Sequence, residues 1–455
     1  MVFVALVMMT GTLWGSLFEK SEYAARRQKF MDSIPDGVAI ILGAQSRGDY
    51  NEYYQNNDFM YFSGVEIPNA ILVIDGIHRE TALFFTISER GARNEGISLD
   101  LVREPRAVTG IEKVFPLKEF GLYLAGLAEN ENIPIFYTSF KPEELMRQCT
   151  NESFRSLQVT MTKNEWDGRL TRELQFVEKL KERFPQVEVK DCSRLIWDLR
   201  IIKSPAEIAV MRKAARIAVR AHIELMKSTR PGMHEYELAA LYEYLCKKEG
   251  AHDLAYYMII CSGENHPYLH YYKHDRVLQD GDFLVIDVGP DFGYYDIDIT
   301  ISYPANGKFT PRQKEVYEAC NAVHEACLKV YRPGLTIKEA RLEVSEILEE
   351  QGFDLTKDYF QKMKGSFGHY VGMAVHDVGG GPRVLQPGMV FANEPLIVYP
   401  EENLGVRVED TILITEDGCE NLTAGIPRTV KEIQKIMKKK GIIQVLEKAG
   451  LYTLK

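Results

Sequence analysis

The sequence predicts an α/β protein of two domains, the second built from two similar halves. Three observations lead there: a length of 455 residues with 45% hydrophobic content, short apolar runs alternating with helical stretches before residue 190, and helix landmarks that recur after residue 195. A chain of that size forms two or three domains, each with its own core. The net charge of −10 gives no electrostatic basis for a nucleic-acid partner, which needs clustered Lys and Arg. A small or neutral substrate fits better. Seven cysteines (Cys149, Cys192, Cys246, Cys261, Cys320, Cys327, Cys419) are odd in number and scattered, without CxxC pairs. They read as reduced packing residues.

Taken in order, residues 1–20 form an apolar N-terminal segment. Its run at 2–18 is too short for a membrane span and suits either the core of an export signal or a docked terminus. No Lys or Arg precedes it, so cytoplasmic and exported locations both stay open. Residues 21–190 form the α/β domain, with strands at 38–42 and 70–74 bounded by the turn signals Pro35-Asp36-Gly37 and Asp75-Gly76.

The second domain covers 195–455. It opens where Ser204 caps a helix, Pro205 takes its first position and Glu207 closes a capping box. Thr310-Pro311-Arg312-Gln313 repeats that opening 106 positions later. The first helices end at Arg230-Pro231-Gly232 and Arg332-Pro333-Gly334, the next pair at Glu249-Gly250 and Gln351-Gly352, each offset by 102. Four landmarks in one order predict a duplicated helix-helix-strand unit with pseudo-twofold symmetry and a site between its halves.

Each half then carries an acidic hairpin. In the first, apolar runs flank a turn at 290–293, and a turn centred between Phe292 and Gly293 sets Asp287 opposite Asp298 on one sheet face. In the second, a turn at 400–403 sets Glu394 opposite Glu409. Single acids are usually solvated. Four in β-branched, core-like runs are costly unless cations compensate them, and divalent metal is the economical answer. Oxygen ligands favour Mg, Ca or Mn, and an added imidazole shifts the balance toward Mn, Co or Zn. His369 and His376, in a glycine-rich stretch, supply imidazoles, and one of them is expected at the metal. His270 precedes the first hairpin and could reach the same cleft; His266 and His274 suit an entrance.

At these residues the sequence resembles the pita-bread metallopeptidases, family M24, in the Xaa-Pro aminopeptidase and prolidase branch. Asp287, Asp298, His369, Glu394 and Glu409 match that family's five metal ligands in order and spacing. Asn57-Asp58-Phe59-Met60-Tyr61-Phe62-Ser63-Gly64 resembles its creatinase-type N-terminal domain, and residues 421–427 its closing segment. The resemblance implies two divalent ions, manganese first with cobalt or zinc as alternatives. Asp287 would chelate one, His369 and Glu394 the other, with Asp298 and Glu409 bridging.

It further implies release of the N-terminal residue from peptides with proline second, by attack of a metal-bridging hydroxide. Glu394 would accept the proton, His376 and His270 would hydrogen-bond the substrate, and Arg407 would orient the site. A homo-oligomer acting on peptides, with no nucleic acid and no membrane insertion, is the implied state. The sequence departs from the family at Ile301, where Arg is usual, at Pro395-Leu396-Ile397 after Glu394, and at Lys273-His274. Prolidase activity on Xaa-Pro dipeptides is the nearest rival. An intact ligand set argues against both metal-free creatinase-like chemistry and a non-catalytic binding module.

Overall fold

The computed structural model describes residues 17–46, 48, 52–145, 147, 154–363, 368–379 and 383–453. Most of the apolar run at 2–18, and Cys149, lie outside them. The fold is α/β, in two compact units: Met1–Leu145 with Met161–Ile196, and Met146–Thr160 with Trp197–Lys455.

In the first unit, β1 (Val38–Leu42), β2 (Ile71–Asp75), β3 (Glu80–Phe84), β4 (Lys113–Phe115), β5 (Ile135–Thr138) and β6 (Glu188–Asp191) form one mixed sheet in the order β4-β3-β2-β1-β5-β6. Its β-branched and aromatic residues Val38, Ile40, Val73, Phe84 and Phe136 pack against Leu124, Leu127 and Leu180 from flanking helices. Arg26 and Arg27, buried in the helix Lys20–Ser33, donate to the carbonyls of Tyr61 (3.1 Å) and Phe62 (2.7 Å). They satisfy and charge-complement the C-terminus of the helix Asn57–Ser63.

The second unit shows the duplication. Helices Pro205–Ser228 and Pro311–Val330 both open with Pro at the first position and a reciprocal capping box. Ser204 accepts from the Glu207 amide at 3.3 Å and Thr310 from the Gln313 amide at 3.2 Å. Partner helices Glu235–Lys248 and Ile337–Glu350 follow, each of 14 residues. A two-residue strand β7 (Asp253–Leu254) pairs with β10 (Pro290–Asp291). The first half then forms a three-stranded antiparallel sheet from β8 (Ile259–Ser262), β9 (Phe283–Asp287) and β11 (Thr300–Pro304), and the second half another from β12 (Val390–Asn393), β15 (Asp410–Ile414) and β16 (Cys419–Asn421). Between the strands of the latter, β13 (Leu396–Tyr399) pairs with β14 (Leu404–Arg407). Val330, Tyr331, Val344, Phe391 and Ile412 lie in one apolar core.

The halves join along one antiparallel seam. Thr300 bridges Glu409, Ser302 Oγ donates to the Arg407 carbonyl at 2.8 Å, and Thr411 Oγ1 donates to the Asp298 carbonyl at 2.6 Å. Hydroxyls thus occupy ladder positions on both sides of the Thr300–Glu409 bridge. Among the described residues the cysteines are all free, and no helix is long and apolar enough to cross a membrane.

Candidate metal centre

The seam brings the acidic hairpins together. In the first hairpin the register differs from expectation: Asp287 faces Thr300, and the turn centre lies between Gly293 and Tyr294. Asp298 therefore falls diagonally from Asp287 rather than opposite it. Because the partner moved by two positions, both carboxylates still share one sheet face. In the second hairpin Asn393 pairs with Asp410 and Leu396 with Arg407, which puts Glu394 level with Glu409 as expected.

The carboxylates are deep, with Asp287, Asp298 and Glu409 exposed by 2%, 5% and 1%. Ligand atoms of Asp298, His369 and Glu409 all lie within 4.8 Å of one another. His369 Nε2 is 3.2 Å from Asp298 Oδ2 and 3.7 Å from Glu394 Oε1. Its Nδ1 stands 3.2 Å from the Tyr370 carbonyl, the arrangement that orients a metal-ligating imidazole through its other nitrogen. The His376 ring lies against it at a tilt of 36°, centroids 3.8 Å apart. Arg407 Nη1 donates to Asp287 Oδ2. His270 lies exposed on the loop after β8, its ring edge-on to Tyr257 at 6.4 Å.

Two other histidines are structural rather than at an entrance. His266 is buried with Nε2 2.9 Å from the Phe283 carbonyl, and His274 Nε2 is 2.9 Å from the Met258 carbonyl. Ile301 is fully buried opposite Ile286 in the β9–β11 ladder, where an apolar side chain belongs.

Three residues escaped the sequence reading. Tyr256 Oη lies 2.6 Å from Asp287 Oδ1 and 2.5 Å from Asp298 Oδ1, its single O–H shared between them; burial and the two carboxylate charges raise its pKa, keeping it a donor. Thr300 Oγ1 donates to Glu409 Oε2 at 2.5 Å. Arg428 donates to the Thr300 carbonyl at 2.7 Å and to that of Glu409, bracing the seam. These contacts span 19 to 128 positions, and no local spacing signals them.

The carboxylates crowd one another in a buried site. Burial pushes Asp287 up to about 6 against the opposing charge of Arg407. Burial and the charges of Asp298, Asp287 and Glu394 drive Glu409 well above the carboxylate range. Burial alone would also raise Asp298 and lower His369; their mutual hydrogen bond and charge instead hold Asp298 below its ordinary value, and with Glu394 lift His369 to about 9. Glu409 Oε1 is buried without a hydrogen-bond partner. Four carboxylates against one arginine and one imidazole, with an orphaned oxygen among them, fit divalent cations held by oxygen and that imidazole nitrogen.

Comparison with known proteins agrees. The model of metallopeptidase family M24 matches residues 209–416, and that of the aminopeptidase P N-terminal domain matches 23–136. The Xaa-Pro aminopeptidase of Escherichia coli is 31% identical, over 93% of this chain and 98% of that protein. The structure of zinc-substituted E. coli aminopeptidase P in complex with product superposes with a TM-score of 0.74 at 29% identity, covering 92% of this chain and 98% of that one. A Xaa-Pro dipeptidase from Rattus norvegicus is 32% identical over 53% of this chain and 61% of its own.

Proposed function

Because the chain belongs to metallopeptidase family M24, in its Xaa-Pro aminopeptidase branch, we propose that it releases the N-terminal residue from peptides whose second residue is proline. The observation that carries this reading is the cluster of Asp298, His369 and Glu409, whose ligand atoms lie within 4.8 Å of one another, with Glu394 3.7 Å from His369 and Tyr256 joining Asp287 to Asp298. Asp287 would hold one ion, His369 and Glu394 the other, and Asp298 and Glu409 both. Manganese is the first metal to test, with cobalt and zinc next.

When bound, two divalent ions supply the Lewis acidity that activates water near neutral pH and polarises the scissile carbonyl. The chain's own groups do the rest. Arg407 and Tyr256 fix the Asp287 carboxylate from two sides, and Thr300 fixes Glu409. Glu394, with a side chain 22% exposed, is the open member of the set and takes up the proton of the attacking water. His376, its ring packed against His369, donates to the oxygen that gains charge. His270, on the exposed loop, meets the substrate from outside.

The prolidase reading differs only in substrate length. The metal-loaded protein should release alanine from Ala-Pro-Ala and Ala-Pro-Ala-Ala, and more slowly from the dipeptide Ala-Pro; turnover confined to Ala-Pro would establish the prolidase reading instead. The homo-oligomer implied by the resemblance is checked by sedimentation of the same sample.

A further inference from the structure

An apron of exposed aromatic side chains lies on residues 257–272, the segment that follows Tyr256 in the chain. Tyr257, Tyr268, Leu269 and Tyr272 are 44%, 64%, 51% and 64% exposed, with exposed His270 among them. Scattered apolar side chains on a surface need no explanation, whereas a contiguous group marks a contact. Three of them are contiguous: the Tyr257 ring is 5.9 Å from that of Tyr272 and 6.4 Å from His270, both edge-on, and Leu269 and Tyr268 precede His270 in the chain.

The root of the apron, at Tyr271, packs on the face of the sheet that carries Asp287. Ile259 pairs with Asp287 and Cys261 with Val285, so all four share one face. Tyr271, at the root of the loop, packs in one cluster with Ile259, Cys261 and Val285. Tyr256, adjacent in the chain to Tyr257, touches both Asp287 and Asp298.

The loop is also pinned. Buried Glu235 accepts from Ser262 Oγ at 2.6 Å and Asn265 Nδ2 at 3.4 Å, and Tyr271 Oη donates to Asp275 at 2.8 Å. With His266 and His274 tied to backbone carbonyls, the exposed rings sit on a fixed base, so binding to them costs little ordering.

Building on the proposed function, we infer that the apron binds the part of the peptide substrate that follows the proline, and favours aromatic or large apolar residues there. A peptide cut after its first residue leaves one residue on one side of the bond and everything else on the other. An extended surface on the segment that follows Tyr256 therefore serves the long side. Exposed tyrosine rings suit aromatic side chains, each stacked pair contributing enough for about a 3- to 10-fold preference.

The test compares the product-type peptides Pro-Phe-Phe and Pro-Gly-Gly by calorimetric titration into the Mn-supplied protein, with Ala-Pro-Phe-Phe and Ala-Ala-Phe-Phe turnover run alongside. Wild type should bind Pro-Phe-Phe about 3- to 10-fold more tightly than Pro-Gly-Gly, and Tyr272→Ser and Leu269→Ser should bring that ratio towards one. Leu342→Ser, at an exposed position outside the apron, should keep the wild-type ratio. Equal affinities in wild type, or a ratio untouched by both apron variants, overturn the inference. So does a sedimentation profile in which the apron variants dissociate an oligomer while the ratio stays, since a second copy would then be the occupant. Because binding is read without turnover, failure to discriminate Ala-Pro-Phe-Phe from Ala-Ala-Phe-Phe counts against the proline reading alone.

Discussion

At the residue scale, two groups differ in what they should lose. Glu409 sends one oxygen to Thr300 and leaves the other without a protein partner, so Glu409→Ala should bind metal more weakly than Glu409→Gln. Metal bound only by the folded state adds about 2.7 kcal/mol when free metal is 100-fold above Kd, and that increment should shrink in the alanine variant; two ions per chain at wild-type affinity would contradict the bridging role. His369 and His376, though in ring contact, should separate. His369→Ala should lose metal and activity together. His376→Ala should keep its metal and lose kcat by ~10²–10³-fold if it donates to developing charge, whereas a fully metallated, nearly wild-type His376→Gln would reduce it to a packing residue.

Next to His376, Asp377 is buried between Arg200 Nη2 at 2.7 Å and Lys203 Nζ at 3.0 Å. Burial raises its pKa, but the two cations outweigh that and hold it below the ordinary carboxylate value. A depressed carboxylate contributes stability that is fully present above its unfolded pKa of about 3.9 and is lost as pH falls through the lower folded value. Asp377→Asn leaves two buried cations facing an amide and should cost about 3–5 kcal/mol at pH 7. Urea unfolding at pH 7 and pH 3 checks this: the gap between variant and wild type should narrow at the lower pH, and an equal gap at both would show that the charge is not the cause.

At the scale of elements, what could be read in advance was what local chemistry dictates. The capping boxes at Ser204 and Thr310 form because a hydroxyl, a proline and a Glu or Gln meet helix geometry within four residues. Parity of the hairpins was legible too, because side chains alternate with a period of two. The turn was not. Gly293 and Tyr294 both take left-handed backbone angles, φ 62° and 70°, which a two-residue hairpin loop of this kind requires and which a tyrosine seldom signals. That choice moved Asp298 level with Gly289. A Cβ at Gly289 would come 1.5 Å from the Ile297 carbonyl oxygen, so Gly289→Ala should force the ladder apart beside Asp298, costing about 1–3 kcal/mol and lowering metal content. Wild-type metal content in that variant would mean that the hairpin tolerates the opening without moving its carboxylates.

At the scale of the whole molecule, the five proposed ligands span residues 287 to 409, and neither half holds them all. Asp287 and Asp298 come from the first hairpin; His369, Glu394 and Glu409 come from the second half, and the Thr300–Glu409 bridge sets the distance between them. The resemblance proposed the set, and the folded seam shows how the charges are arranged: Arg407 on Asp287, His369 on Asp298, and one Glu409 oxygen left over. Tyr256 and Arg428 were not legible because their partners are distant in sequence. The most direct test of this arrangement is to strip the protein of metal with chelator and titrate Mn back while following alanine release from Ala-Pro-Ala. Activity should vanish on stripping and return to a plateau near two ions per chain, with Ala-Ala-Ala left uncut. Undiminished release from the stripped protein, or equal release from both peptides, would contradict the account.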